Sequence, residues 1–207
     1  AFGAAGTGEG QFNCPSGITG EVESLSILDS GTNRVQRFNA STFESSFGSA
    51  GTGNGQFVQA TGLSTGADQA FYIGDAANQR MQRLYDGTVA GHRATWGSAG
   101  SGPSQFGQIS DVVTDKNGNI YVADRLNNKI RKIESNGTVS TLAGTGVAGS
   151  TDGPGNTATF NQPWGIAIDT LGYLYVADNR SYKIRKIDPA GVVSTIAGTG
   201  VFGTTNG

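Results

Sequence analysis

The stretch Gly172-Tyr-Leu-Tyr-Val-Ala-Asp178 decides the fold, because its closing phrase returns four times along the chain. The four copies are Ser26-Ile-Leu-Asp29, Tyr72-Ile-Gly-Asp75, Tyr121-Val-Ala-Asp124 and Tyr175-Val-Ala-Asp178. Their aspartates are 46, 49 and 54 residues apart, which is the period of a propeller blade and too long for a leucine-rich repeat. The sequence is therefore that of a repeat protein.

Within a repeat, short runs of β-branched and aromatic residues alternate with turn residues. The third repeat has four such runs: Asp111-Val-Val-Thr-Asp115, Asn119-Ile-Tyr-Val-Ala123, Lys129-Ile-Arg-Lys-Ile133 and Thr138-Val-Ser-Thr-Leu142. Tight-turn residues at Asn117-Gly118 and Asn136-Gly137 separate the first run from the second and the third from the fourth. No stretch has a helical period. We therefore predict an all-β fold of four-stranded antiparallel blades that pack face to face around an axis.

The third run of each repeat mixes apolar and basic residues. In the third repeat, Ile130 and Ile133 flank Arg131 and Lys132. This pattern predicts a half-exposed strand towards the edge of the sheet, with its basic side chains on the exposed side.

Further repeated stretches point to a family. The fourth repeat contains Phe160-Asn-Gln-Pro-Trp-Gly-Ile-Ala-Ile-Asp169, Lys183-Ile-Arg-Lys-Ile187 and Val193-Ser-Thr-Ile-Ala-Gly198, and the third contains Asn117-Gly-Asn-Ile-Tyr-Val-Ala-Asp124. The first two repeats keep the pattern less closely, in Asn33-Arg-Val-Gln-Arg-Phe38 and Gln79-Arg-Met-Gln-Arg-Leu84. Over nearly its whole length the chain resembles the NHL-repeat β-propellers, which implies a β-propeller of four NHL-type repeats. That family includes RNA-binding and protein-binding modules, cell-surface propellers and a few lyases or hydrolases, so the fold does not select a function.

The repeats organise residues 1–207 as one NHL-repeat β-propeller segment. We place the blades at approximately 7–50, 51–99, 100–143 and 144–197, with Phe12, Phe57, Phe106 and Phe160 at equivalent junctions between blades. Residues 1–6 align with 46–51, and residues 198–207 align with 144–153, which predicts partial blades at both ends. We interpret the segment as part of a larger propeller or repeat array.

Composition narrows the classes of partner. Charged residues make up 14% of the chain, and the net charge is −2. Phosphate binding needs a basic surface, so nucleic acid is not the expected partner. No apolar run is long enough to span a bilayer, so no membrane insertion is expected. The expected partner is another protein, which includes further copies of this chain or other chains of an assembly.

Glycosylation signals bear on the compartment. Three triplets, Asn39-Ala-Ser, Asn136-Gly-Thr and Asn179-Arg-Ser, fall in predicted hairpin turns where a glycan has room. The single cysteine, Cys14, cannot form a disulfide within the chain. The three triplets together favour an extracellular or cell-surface glycoprotein.

The residue inventory does not support catalysis. His92 is the only histidine, so a histidine cluster for zinc cannot be assembled. A nucleophile–histidine arrangement would have to use His92, which we expect to be a solvated residue at a strand edge. The repeated aspartates could form a ring of carboxylates for Ca²⁺, but aspartates at strand ends more often accept backbone N–H bonds in their own hairpin turns. We expect that second role, with the bases five residues on as their partners: Arg34, Arg80, Lys129 and Lys183. No catalytic residue, metal or cofactor is predicted.

With catalysis disfavoured, the remaining candidate for a functional site is a surface for recognition. The connection into each first strand and the turn between the second and third strands should lie at the same end of the blades. That end would carry Trp164, Arg180, Tyr182 and Arg125. Exposed tryptophan, tyrosine and arginine are typical of recognition surfaces. The alternative is that Trp164 only plugs a blade junction, in place of Ser16, Thr61 and Ser110.

Two functions of different classes follow. The first is a non-catalytic extracellular or cell-surface module for protein interaction or structural assembly. The alternative is a propeller enzyme of the lyase or hydrolase type whose catalytic residues lie outside this segment. RNA binding is disfavoured by the low charge.

Overall fold

The computed structural model describes residues 3–21, 23–85 and 92–203. In these ranges the regular secondary structure is β-strand, apart from two single-turn 3-10 helices at Arg125–Asn127 and Asn179–Ser181. The strands, in chain order, are β1 (Ala4–Ala5), β2 (Gln11–Phe12), β3 (Pro15–Glu21), β4 (Ser24–Asp29), β5 (Arg34–Asn39), β6 (Thr42–Phe47), β7 (Ser49–Ala50), β8 (Gln56–Phe57), β9 (Ala60–Thr65), β10 (Phe71–Asp75), β11 (Arg80–Leu84), β12 (His92–Trp96), β13 (Ile109–Thr114), β14 (Ile120–Asp124), β15 (Lys129–Ile133), β16 (Val139–Ala143), β17 (Gly153–Pro154), β18 (Pro163–Ile168), β19 (Leu174–Asp178), β20 (Lys183–Ile187) and β21 (Val192–Ala197).

The strands form four antiparallel sheets, each made from consecutive strands. We number them blade 1 (β3–β6), blade 2 (β9–β12), blade 3 (β13–β16) and blade 4 (β18–β21), and β17 adds a fifth strand beside β21. The predicted all-β, four-stranded blades are confirmed. The strand register places the repeated aspartate at the end of each second strand, as in the pairing of Asp124 with Lys129.

Consecutive blades pack through their first strands. Strand β3 contacts β9, β9 contacts β13, and β13 contacts β18, so these strands line the common axis. Across the described part of the chain, the four sheets do not close into a ring. A short pairing precedes each blade: the parallel pairs β1–β2 and β7–β8, and single bridges from Ala99 to Phe106 and from Ala148 to Phe160.

The predicted phenylalanines lie between blades. Phe57, Phe106 and Phe160 are fully buried, and each belongs to a hydrophobic cluster that joins two neighbouring blades. Phe160, for example, packs with Ala123 and Ile130 of blade 3. Phe12, ahead of blade 1, is half-buried and packs 5.9 Å from the ring of Phe38. Each buried ring therefore acts as a wedge that holds two sheets together.

The prediction that the arginine of the third strand is exposed is wrong. Arg131 is 1% exposed, and its counterpart Arg185 is fully buried. The guanidinium of Arg131 lies 3.3 Å from Asp124 and donates to the carbonyl of Gln105 at 2.8 Å. The side chain can be buried because a carboxylate and main-chain carbonyls satisfy its donors.

The partners of the aspartates follow the prediction in the first two blades only. There the base five residues on pairs with the aspartate, since Arg34 Nε lies 4.0 Å from Asp29 and Arg80 Nε lies 2.7 Å from Asp75. In blades 3 and 4 the partner is seven residues on, whereas Lys129 and Lys183 reach Ser101 and Ser150 instead. Blades 1 and 2 carry a buried glutamine at that later position, Gln36 and Gln82.

The sequence suggested that the aspartates accept N–H bonds from their own hairpins, and this prediction is wrong. Each accepts one from the residue directly after the junction phenylalanine, at 2.7–2.8 Å. The four donors are the N–H groups of Asn13, Val58, Gly107 and Asn161. The hairpin contributes a side chain instead, such as Asn127 Nδ2 at 2.8 Å from Asp124. The carboxylate therefore ties the turn to the segment that enters the first strand.

The wedge role makes a prediction for stability. Phe106→Ala should lower the free energy of unfolding by about 3–5 kcal/mol, because a fully buried ring is lost between two sheets. Phe12→Ala is the matched control and should cost less than half as much, since Phe12 is only half-buried. Urea unfolding followed by circular dichroism measures both. Equal losses would contradict the assignment of Phe106 to a closed junction.

The aspartate is paired differently in blades 2 and 3, so the arrangement of blade 2 can be introduced into blade 3 by substitution. Arg131→Gln should destabilise blade 3 by roughly 3 kcal/mol, because it leaves the buried Asp124 carboxylate without its cation. Adding Lys129→Arg recreates the arrangement of Arg80 and Gln82 in blade 2, and should recover more than half of that loss. Urea unfolding of both variants is the measurement. A double variant no more stable than the single one would show that the two arrangements are not interchangeable.

Candidate binding surface

The predicted site residues lie at one end of the blades. Arg125 is in the 3-10 turn after β14, and Trp164 is the second residue of β18. Arg180 is in the corresponding turn of blade 4, and Tyr182 ends that turn. The turn between the second and third strands thus meets the entry to the first strand, as the sequence suggested.

Arg125 and Trp164 are in direct contact. The guanidinium carbon of Arg125 lies 4.5 Å from the centroid of the Trp164 ring, within the range of a cation–π interaction. Two glutamines hold the guanidinium there: Nη1 donates to Gln108 Oε1 at 3.1 Å, and Nη2 donates to Gln162 Oε1 at 3.0 Å. The main-chain N–H of Arg125 also donates to the carbonyl of Gln108 at 2.9 Å. The pair is therefore a fixed platform that bridges blades 3 and 4.

Trp164 replaces a hydroxyl that the other blades use as a link. Thr61 Oγ1 donates to the carbonyl of Ile109 in the next blade at 2.8 Å, and Ser110 Oγ donates to the carbonyl of Pro163 at 2.9 Å. Ser16 Oγ makes the same kind of bond to Ala60 at 3.3 Å. Trp164 is 48% exposed, and whether it serves recognition or fills a blade junction stays a prediction.

Arg180 and Tyr182 lie on the neighbouring turn. The N–H of Arg180 donates to the carbonyl of Asn161 at 3.0 Å, and its side chain is exposed. Tyr182 has φ 53°, in the left-handed region where a large side chain is uncommon, and packs edge-on against Phe202 at 5.7 Å. Asn128 has the same backbone conformation in blade 3, and its Oδ1 accepts the N–H of Gln162. Among the predicted site residues, Arg125 and Trp164 are thus the pair that the structure brings into direct contact.

The glutamines were not identified as site residues from the sequence. A signal was present, because Gln108 and Gln162 both stand two residues after a junction phenylalanine. Gln59 and Cys14 occupy that place in the first two repeats. Cys14 is a free, exposed thiol.

The three sequon asparagines are all exposed. Asn39 ends β5, Asn136 lies in the turn before β16, and Asn179 begins a 3-10 turn. Asn136 Oδ1 accepts the N–H of Thr138 at 2.8 Å, which fixes the side chain in its turn. Their use as glycosylation sites stays a prediction.

In the described ranges, no three histidine, cysteine, aspartate or glutamate side chains come together as metal ligands would. Nor do these ranges hold a helix that is long and apolar enough to cross a bilayer.

Two comparisons concern the sequence. Residues 148–206 match the family model of the Teneurin NHL domain. NHL repeat-containing protein 2 of Homo sapiens is 49% identical over 57 residues, which are 27% of this chain and 8% of that protein. The chloroplastic protein SUPPRESSOR OF QUENCHING 1 of Arabidopsis thaliana is 50% identical over 50 residues, 24% of this chain and 5% of that protein. The matches thus cover less than a tenth of these relatives.

Solved structures with low sequence identity share the fold. A protein of unknown function from Bacteroides thetaiotaomicron superposes with a TM-score of 0.65 at 20% identity, over 92% of this chain and 48% of that one. An auxiliary nutrient binding protein from Bacteroides ovatus gives 0.66 at 15% identity, over 93% and 48%. Virginiamycin B lyase from Staphylococcus aureus gives 0.61 at 17% identity, over 87% and 54%.

The repeated sequence, the four blades and these matches all indicate a chain built from one repeated β-blade unit. Strands, junction phenylalanines and strand-end aspartates recur in each unit, and the best-matched unit is the one that carries the family pattern most fully. Residues 148–206 are similar to the NHL repeats of these proteins, and the described chain has the β-propeller fold.

Proposed function

We propose that this chain is a non-catalytic protein-interaction module whose binding surface is centred on Trp164 and Arg125. The observation that carries the proposal is that a half-exposed tryptophan ring lies under a guanidinium already held in place by Gln108 and Gln162. A partner would meet an aromatic and cationic platform without having to order it. Such preorganisation lowers the entropic cost of binding.

The chemistry of the platform suits a protein partner. Tryptophan and arginine are enriched among the residues that dominate binding energy at protein interfaces. Arg180 and Tyr182 extend the same end of the blades with another exposed cation and ring. A net charge of −2 over the whole chain argues against a phosphate backbone as the partner. The partner is another protein, either a further copy or a different chain of an assembly.

An extracellular or cell-surface location belongs to the same proposal. Its support is that Asn39, Asn136 and Asn179, the three sequon asparagines, are all exposed. The alternative, a lyase or hydrolase with catalytic residues outside this segment, has support only from fold likeness to a lyase at 17% identity.

The binding proposal is tested with peptides. Peptides selected from a random phage-displayed library against the folded chain should bind Trp164→Ala about thirtyfold more weakly, or by about 2 kcal/mol, if Trp164 is a hot spot. Arg125→Gln should weaken binding as well, because it removes the cation over the ring. Isothermal titration calorimetry measures both effects, and circular dichroism checks that the blades stay folded.

Leu171→Ala is the matched control for that experiment. Leu171 is 75% exposed but lies in the turn at the opposite end of the first strand of blade 4. Its loss should leave peptide affinity unchanged. Peptides that bind the Trp164 variant as tightly as the original chain would overturn the proposal.

The location is tested on protein from its native source. Mass spectrometry is expected to find glycans on Asn39 and Asn136, since both asparagines are exposed at strand ends or turns. Asn39→Gln and Asn136→Gln variants, expressed in the same source, should each lose one glycan's mass. Both sites unmodified in the native protein would count against passage through a eukaryotic secretory pathway.

A further inference from the structure

A polar cleft of about 160 Å³ lies between blades 1 and 2. Its walls include Ser24, Ser26 and Arg37 of blade 1 and Thr65 and Phe71 of blade 2, and we call it the blade 1–2 cleft. The strand register sets Ser26 directly opposite Arg37 on the neighbouring strand. Because both walls come from consecutive blades, the cleft belongs to an internal junction of the chain.

The cleft contains a buried hydroxyl without a partner. Ser26 is 4% exposed, and among the residues that the structure describes its hydroxyl forms no hydrogen bond. The corresponding side chains of the other blades are Tyr72, Tyr121 and Tyr175, and each of their hydroxyls donates to an aspartate of its own blade at 3.1–3.2 Å. A buried polar group without a hydrogen bond costs free energy. The Ser26 hydroxyl is therefore available to a molecule that enters the cleft.

The arginine of the cleft lacks the carboxylate that its counterpart binds. In blade 2 the corresponding Arg83 forms a hydrogen-bonded ion pair with Asp68. Within the described part of the chain Arg37 forms no hydrogen bond, and the Glu44 carboxylate lies 3.7 Å from its Nη2, beyond hydrogen-bond distance. The Glu44 side chain is 48% exposed, and exposed ion pairs of this kind contribute little free energy. Arg37 therefore keeps N–H donors for a second carboxylate.

The volume and the lining of the cleft define the class of ligand. A volume of about 160 Å³ equals that of roughly five water molecules at about 30 Å³ each, so the ligand is a small molecule. A guanidinium matches a carboxylate in charge and geometry. The hydroxyls of Ser24, Ser26 and Thr65 can donate and accept, so they match a hydroxyl group of the ligand. Thr65 Oγ1 already accepts from Thr19 Oγ1 at 3.2 Å, which leaves its own proton to donate.

We propose that the blade 1–2 cleft binds a small hydroxycarboxylate, whose carboxylate pairs with Arg37 and whose hydroxyl group bonds with Ser26. The ligand carboxylate takes the role that Asp68 has beside Arg83 in blade 2. The guanidinium carbon of Arg37 lies 5.8 Å from the centroid of the Phe71 ring, a cation–π contact that helps to hold the cation in place. The cleft shares no residue with the binding surface of the proposed function, so neither proposal depends on the other.

Titration with glycolate, followed by NMR of the ¹⁵N-labelled chain, tests the site. Saturable shifts of the backbone amide signals of Ser26 and Arg37 are expected in the millimolar range. Acetate lacks the hydroxyl group and should bind at least about threefold more weakly, as expected for one lost hydrogen bond. Ethylene glycol lacks the carboxylate and should cause no saturable shift. Glycolate without saturable shifts, or inorganic phosphate that binds as tightly as glycolate, would overturn the proposal.

Charge variants test the role of Arg37. Arg37→Gln should weaken glycolate binding at least about tenfold, because it removes a charge-assisted hydrogen bond. Glu44→Gln should strengthen binding, since it removes a carboxylate that competes for the guanidinium, and a gain in affinity cannot result from unfolding. Lys132→Gln is the matched control, because it removes the same charge from the corresponding position of blade 3, and should change nothing. An equal loss in the Arg37 and Lys132 variants would exclude Arg37 as the specific ligand contact.

Two variants at Ser26 test the cleft itself. Ser26→Tyr combined with Phe71→Ile reproduces the packing of Tyr72 and Ile120 at the next junction, so the ring should fill the cleft and abolish glycolate binding. Ser26→Ala removes only the hydroxyl and should make glycolate bind no more tightly than acetate. Circular dichroism checks that both variants fold. A folded double variant that binds glycolate as before, or a Ser26→Ala chain that still prefers glycolate to acetate, would overturn the proposal.

Discussion

The structure depends on one buried carboxylate in each repeat. The aspartate at the end of the second strand accepts the N–H of the residue directly after the junction phenylalanine, at 2.7–2.8 Å. Burial raises the pKa of Asp124, and the hydrogen bonds from Asn127 and Gly107, together with the nearby Arg131, act against that rise. Because the carboxylate fixes the entering segment, it also fixes the phenylalanine beside it. A polar contact thereby positions the apolar wedge between two sheets.

The chain stabilises this carboxylate in two ways. Blade 2 uses Arg80 beside a buried glutamine, whereas blade 3 uses a buried arginine beside a lysine that reaches a carbonyl. Both arrangements provide one guanidinium for the carboxylate and side-chain donors for the carbonyls of the entering segment. Repeats that differ in sequence can therefore keep the same junction, which explains how the first two repeats diverge without losing the fold.

The sequence predicted the repeat, the strands, the junction phenylalanines and the aspartates, because all of these recur at a regular period. It did not predict the burial of Arg131, since strand alternation alone assigns a charge to the exposed side. The site was predicted in part for a similar reason. Trp164 and Arg125 are residue types that suggest recognition, but the role of Gln162 depends on a contact with Arg125 across 37 positions of sequence. A local sequence pattern is too short to reveal a contact between residues that far apart.

Repetition makes the departures in blade 4 informative. A residue that matches its counterparts in other blades is accounted for by packing, as Val176 is by Val122 and Ile73. Trp164 differs in kind from its counterparts Thr61 and Ser110, which link first strands through a hydroxyl, and nearly half of its side chain lies in water. Arg125 and its two glutamines hold a cation against the ring. An ordered cation over a half-exposed aromatic ring is therefore the departure from the repeat on which our proposed binding surface depends.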